Sequence, residues 1–147
     1  MMKRLTNPDV IRYNNLSSEI NALYHELSVK LGLSDSVQNI LYVVFEADGK
    51  CQQSDIFRET GISRQTINSA LRKLEAEQIV YLEPGTGRNT VVCLTEKGKA
   101  FCGEKIAPIF ALENHIFDGW TSEERKTYLE LTQRYLTTFR EEICNLL

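Results

Sequence analysis

Apolar positions recur along this chain every three or four residues, in runs set off by capping residues and glycines. Leu16, Ile20, Leu23, Leu27 and Leu31 fall on one face of an α-helix. Asn7 precedes it as an N-cap, Pro8 takes the first helical position where a missing N–H costs nothing, and Gly32 ends it. Ser34 opens a second helix carrying Val37, Ile40, Leu41, Val44 and Phe45, which runs to Asp48-Gly49. A short helix over about Gln53 to Glu59 stops at Thr60-Gly61, where glycine accepts a left-handed turn at little steric cost. Ser63 then caps another helix, with Ile62 ahead of it as a staple residue. Ile67, Ala70, Leu71 and Leu74 form the apolar face of that helix, and Arg64, Gln65, Asn68, Ser69, Arg72 and Lys73 form the opposite one. Two helices joined by a tight glycine turn, the second of them polar outside, predict a helix-turn-helix.

The pattern then changes to β-prone runs over Val80 to Glu83 and Thr90 to Leu94, with Pro84-Gly85-Thr86-Gly87 between them and Arg88 beside the tip. This is a hairpin, and directly after a recognition-type helix it is a wing. Lys50-Cys51-Gln52 offers a third short strand beside it. Thr95 caps the next helix, whose apolar residues include Ala100, Phe101, Ile109, Phe110 and Leu112. Pro108 inside that pattern removes a backbone hydrogen bond and predicts a bend. After a break at Asp118-Gly119, the capping box Thr121-Ser122-Glu123-Glu124 launches a last helix with Tyr128, Leu131, Tyr135, Phe139, Ile143 and Leu146 in one stripe. Trp120 precedes it as a packing anchor. The predicted fold is mainly α with a small β wing (α+β): a winged helix-turn-helix flanked by long terminal helices.

That order, closed by Leu94-Thr95-Glu96-Lys97-Gly98, resembles the MarR family of bacterial transcriptional regulators over almost the whole chain. The most specific pieces are Leu74-Glu75-Ala76-Glu77-Gln78-Ile79-Val80, Arg88 ahead of Leu94-Thr95, and the Leu94-to-Gly98 run. The resemblance implies a DNA-binding lobe over 34–94 and a dimerisation lobe over 7–32 and 95–147. It implies a homodimer whose terminal helices intertwine, a pseudo-palindromic DNA operator, repression of a promoter, and release by a small aromatic or phenolic effector. Two positions depart from the family pattern. Thr86 stands where an Asp commonly precedes the wing arginine, so Arg88 lacks a local carboxylate to position it. Gln78 stands where Gly commonly ends the recognition helix, which requires a positive φ or a different helix end.

On this reading Ser63, Arg64, Gln65, Thr66, Asn68 and Ser69 enter the major groove, where Arg pairs with guanine and Gln or Asn with adenine. Arg72 and Lys73 touch phosphates, which position the protein without reading sequence, and Arg88 enters the flanking minor groove. The competing expectation is a winged-helix module that binds proteins rather than DNA. A net charge of −3 favours it, because DNA-binding domains are often strongly basic. What matters, however, is the field at the contacting face, and Glu123, Glu124, Glu130, Glu141 and Glu142 all lie near the C-terminus.

Cys51, Cys93, Cys102 and Cys144 form no C-x-x-C pair, and no His stands at metal-ligand spacing, so no metal or cofactor is expected. The N-terminus lacks the apolar stretch of a signal peptide, which predicts a cytoplasmic protein with reduced thiols. Redox control through Cys51 or Cys102 is a further alternative. His25 and His115 adjoin no nucleophile pattern, and the wing's Gly-Thr-Gly has no following lysine or helix, so no enzyme activity is read. Tyr13, Tyr24, His25 and Tyr42 lie on helices that could line an effector cleft, although such residues are more often packed core.

Overall fold

The computed structural model describes residues 5–146. Its elements, in order, are α1 (Pro8–Leu31), α2 (Asp35–Glu46), β1 (Lys50–Gln52), α3 (Gln53–Thr60), α4 (Arg64–Ala76), β2 (Val80–Pro84), β3 (Thr90–Leu94), α5 (Glu96–Lys105), α6 (Ala107–Asp118) and α7 (Ser122–Asn145). The three strands form one antiparallel sheet in the order β1-β3-β2, so the segment before the helix-turn-helix pairs with the returning strand of the wing. Lys50 lies opposite Cys93, and Tyr81 flanks Cys93 on the other side.

Helix boundaries follow local capping chemistry. Asn7 Oδ1 accepts from the Asp9 N–H at 2.8 Å, and the Ser34, Ser63 and Thr95 side chains accept from the N–H three residues on. Thr121 and Glu124 complete a reciprocal capping box. At their C-termini α1, α2 and α4 close with the same paired reverse hydrogen bonds, through Gly32, Asp48 and Gln78 in the left-handed region. Gln78 therefore takes the positive φ, 61°, rather than ending α4 differently.

The fit around that strained end is close. The Thr95 hydroxyl donates to the Gln78 carbonyl at 2.6 Å, and its backbone N–H donates to the Ile79 carbonyl at 3.0 Å. Lys97 Nζ donates to the Glu77 carbonyl at 2.9 Å. Three carbonyls that α4 leaves without helical partners are thus bound by the start of α5. Gly98 makes this possible: a Cβ there would stand 2.0 Å from the Ile79 carbonyl oxygen.

The predicted bend at Pro108 is a full interruption. α5 stops at Lys105, Ile106 lies between the helices, and α6 begins at Ala107 with Pro108 as its second residue, where no helical N–H is needed. The chain forms two compact units that meet in sequence there, the first ending at Ile106 and the second beginning at Ala107. In the first unit the core gathers Ile40, Leu41 and Val44 of α2, Ile56 of α3, Ile67, Leu71 and Leu74 of α4, and Val92 of β3. In the second, Trp120 packs on Phe117 and Tyr128 at ring distances of 5.1 and 5.2 Å, and Arg125 donates to the Phe117 and Trp120 carbonyls. The α7 stripe predicted from sequence is present, with Tyr128, Leu131, Tyr135, Phe139 and Ile143 about half exposed in the single chain.

Two substitutions test the α4–α5 lock. Gly98→Ala should cost about 3 kcal/mol, since neither backbone can withdraw without breaking the cap. Gln78→Gly should raise stability by about 1 kcal/mol by relieving the left-handed strain. Denaturant midpoints compared at one protein concentration check both; a neutral Gly98→Ala would mean that the close approach is not constraining.

Candidate nucleic-acid interface

Helix α4 owes its position to one buried face. Ile67, Ala70, Leu71 and Leu74 are buried against the core, which turns Gln65, Ser69 and Arg72 directly away from it. Arg64 and Asn68 lie on the flank beside α3, and Thr66 and Lys73 on the opposite flank. All nine residues expected from sequence to meet DNA are exposed. They differ in how far their polar groups are already committed.

The Ser63 hydroxyl accepts from the Thr66 N–H at 3.2 Å and donates to Thr66 Oγ1 at 2.9 Å. Both side chains are therefore held by the helix cap, which leaves them suited to backbone contact more than to base reading. Arg64 stacks over the Phe57 ring, its guanidinium carbon 4.9 Å from the centroid. Gln53 Nε2 donates to Asn68 Oδ1 at 2.5 Å. These contacts form a small lattice: Gln53 and Phe57 stand four residues apart on α3, Arg64 and Asn68 four apart on α4. Gln65, Ser69, Arg72 and Lys73 make no side-chain hydrogen bond or ion pair among the described residues.

Sequence reasoning placed Gln53 and Phe57 on a short helix and assigned neither a contact with α4. Their four-residue spacing was a usable signal, since it matches that of Arg64 and Asn68.

The wing begins where β2 leaves the α4 cap. Its tip is closed by the Gly85 N–H donating to the Asn89 carbonyl at 2.7 Å and the Asn89 N–H donating to the Thr86 carbonyl at 3.2 Å. Gly87 has φ 65°, and a Cβ on Gly85 would meet the Asn89 carbonyl oxygen at 2.8 Å. Arg88 is exposed and makes no side-chain hydrogen bond or ion pair among the described residues, consistent with Thr86 in place of a carboxylate. Lower in the wing, Lys50 pairs with Glu83 at 2.9 Å, and this hydrogen bond holds the Glu83 carboxyl below the usual carboxylate range. The one acid on the wing strands is thereby balanced.

A family match falls on these elements. Residues 31–88, from the end of α1 to the wing arginine, match the sequence profile of the MarR family. Over this segment the chain resembles the MarR family. It is similar to an uncharacterized HTH-type transcriptional regulator, YwhA, of Bacillus subtilis (strain 168), at 27% identity over 66% of this chain and 71% of the relative. Among solved structures, NMB1585, a MarR family regulator from Neisseria meningitidis, superposes with a TM-score of 0.78 at 18% identity, covering 95% of this chain and 98% of that one. NadR, solved in complex with 4-hydroxyphenylacetate, gives 0.70 at 14% identity over 92% and 96%. The MarR-type winged-helix fold is thus shared across low sequence identity.

No helix among the described residues is long and apolar enough to cross a membrane. Nor do three His, Cys, Asp or Glu side chains among them gather as a metal site would. Burial pushes the Cys51 and Cys102 thiols up to about 11, and Asp55 and Glu59 add to the effect at Cys51. Oxidant sensing runs through the thiolate, which a raised thiol pKa disfavours at these two positions. Iodoacetamide at pH 7.5 should label Cys51 and Cys102 roughly a hundredfold more slowly than free cysteine, with Cys51 labelling accelerating as pH rises toward 11. Site-resolved mass spectrometry reads this directly, and labelling as fast as free cysteine would restore the redox reading.

Proposed function

We propose that the chain is a homodimeric, DNA-binding transcriptional regulator that occupies a pseudo-palindromic operator and represses from it. The observation that carries the reading is the exposed face of α4. Gln65, Ser69 and Arg72 point away from the core with uncommitted polar groups, beside Arg64 and Asn68 held in place by α3, and the wing presents Arg88. Gln65, Ser69 and Asn68 suit base edges; Arg64 can reach guanine; Arg72 and Lys73 suit phosphates; Arg88 suits a narrow minor groove. Ser63 and Thr66 serve the same face mainly by fixing the start of α4.

Dimerisation is supported by apolar surface that a single chain leaves in water. Leu16, Ile20 and Leu23 on α1, and the Tyr128-to-Ile143 stripe on α7, are large, regularly spaced and exposed. Contiguous apolar surface of this kind marks an interaction site. In this reading 34–94 is the DNA lobe, and 7–32 with 95–147 supplies the dimer lobe. A two-fold dimer sets two α4 helices roughly 34 Å apart, one turn of B-DNA. A small aromatic or phenolic effector, as in the NadR complex, would release DNA by favouring a different spacing of the two lobes.

Fluorescence anisotropy on the promoter upstream of its own gene, with unrelated DNA as control, tests the first half. Specific affinity should fall with salt at a log–log slope of about −0.9 per phosphate contact, with roughly 6 to 8 contacts per dimer. Arg64→Ala combined with Arg88→Ala should abolish specific binding at physiological salt; survival of full affinity would refute this contact face. Phe139→Glu should convert the dimer to monomer by sedimentation equilibrium, because it places a charge in the centre of the α7 stripe. A Phe139→Glu protein that stays dimeric would remove α7 from the interface.

A further inference from the structure

We infer that Gln53, on α3, is a specificity-determining residue: it fixes the amide of Asn68 so that Asn68 offers DNA a hydrogen-bond donor instead of the adenine-type donor–acceptor pair. The inference rests on the DNA-reading role proposed above and assigns its chemistry at one base.

A free asparagine on a recognition helix reads adenine with both ends of its amide, the carbonyl oxygen accepting from N6 and the NH2 donating to N7. Here the Gln53 Nε2 donates to Asn68 Oδ1. Oδ1 is drawn toward α3, and the amide plane is set by a residue fifteen positions away in sequence. The Asn68 NH2, a donor only, is what remains to face a ligand. Its partners are acceptor atoms: guanine N7 and O6, thymine O4, or adenine N7, the last without the second contact to N6.

The neighbouring contact supports the placement. Phe57, one turn along α3 from Gln53, holds the guanidinium of Arg64, one turn along α4 from Asn68. Arg64 is likewise a pure donor. One edge of the reading surface is therefore uniformly donating and held from behind by α3. Gln65, on the face opposite the core, keeps both amide ends free and is the side chain suited to adenine.

The substitution Gln53→Glu makes the idea sharp. A carboxylate only accepts, so Asn68 must turn its NH2 toward α3 and present Oδ1 outward. The preferred base should then become one with an amino group, adenine or cytosine. Gln53→Ala should instead release the Asn68 amide and reduce discrimination at that base by roughly fivefold or more.

The experiment uses the full chain in two arms. In the first, without DNA, side-chain amide resonances are recorded by NMR; Asn68→Ala should shift the Gln53 NH2 signals, and unchanged signals would overturn the pair. In the second, random duplex DNA bound by the wild type, Gln53→Ala, Gln53→Glu and Asn68→Ala is sequenced. The base preference erased by Asn68→Ala should weaken in Gln53→Ala and switch in Gln53→Glu. If Gln53→Ala and Gln53→Glu both keep the wild-type preference there, the inference is wrong while the regulator reading stands. Wild-type protein that enriches no sequence overturns both, and an intact Asn68-dependent amide shift would then show that DNA reading, not the pair, had failed.

Discussion

The close approach of Gly98 to the Ile79 carbonyl is the constraint on which the helix-turn-helix and its wing depend. Three elements meet there: the end of α4, the root of the wing at Val80, and the start of α5. The carbonyls of Glu77, Gln78 and Ile79 are each bound from the segment Thr95 to Lys97. Thr95 acts in both directions, accepting from the Gly98 N–H as an N-cap and donating its own proton to α4. A helix end left open would fray, and with it the angle between the reading helix and the wing. Here the end is tied to a strand, through β3, and to a second helix. Gln78 can hold a left-handed conformation without glycine because its carbonyl and those on either side are all engaged.

α3 has a comparable role at the other end of α4. In the simplest description it is the supporting helix of the motif, buried through Ile56. Its partly exposed stripe carries Gln53 and Phe57, and each touches a candidate reading residue. Side chains held before contact lose less freedom on binding, so such ties improve selectivity more than they add contact energy. The wing lacks an equivalent tie at Arg88. In the proposed DNA complex it would contribute charge near the minor groove rather than a fixed contact, and such a contribution is sensitive to salt.

How much of this was legible in the sequence depends on range. N-caps at Asn7, Ser34, Ser63, Thr95 and Thr121 could be read because the capping hydroxyl or amide and the N–H it binds lie two or three residues apart. The wing strands and the short β1 followed from composition and turn residues. The family resemblance rested on a similar set of short patterns, including Leu94 to Gly98, but their physical reason spans sixteen to twenty residues and has no local signature. The Gln53–Asn68 tie is hidden for the same cause. Pro108 announced a defect in its helix, yet not that the helix would stop three residues earlier, at Lys105. Cysteine reactivity depends on burial, which spacing does not encode.

The acidic total, which counted against nucleic acid, looks different once assigned to parts of the chain. Residues 107–147 hold seven acidic and four basic side chains, so they account for the whole net charge of −3. The first 106 residues are neutral, with thirteen of each sign. Within them the acids are partly spent: Asp35 pairs with His25 at 2.8 Å, Asp55 pairs with Arg58, and Glu83 pairs with Lys50. Arg72, Lys73 and Arg88 have no such partner among the described residues. Pairing therefore leaves a positive remainder on the α4 and wing surfaces of a lobe that is neutral in sum. A phosphate backbone responds to that local remainder within about 10 Å at ordinary salt, and far less to charge carried elsewhere on the protein.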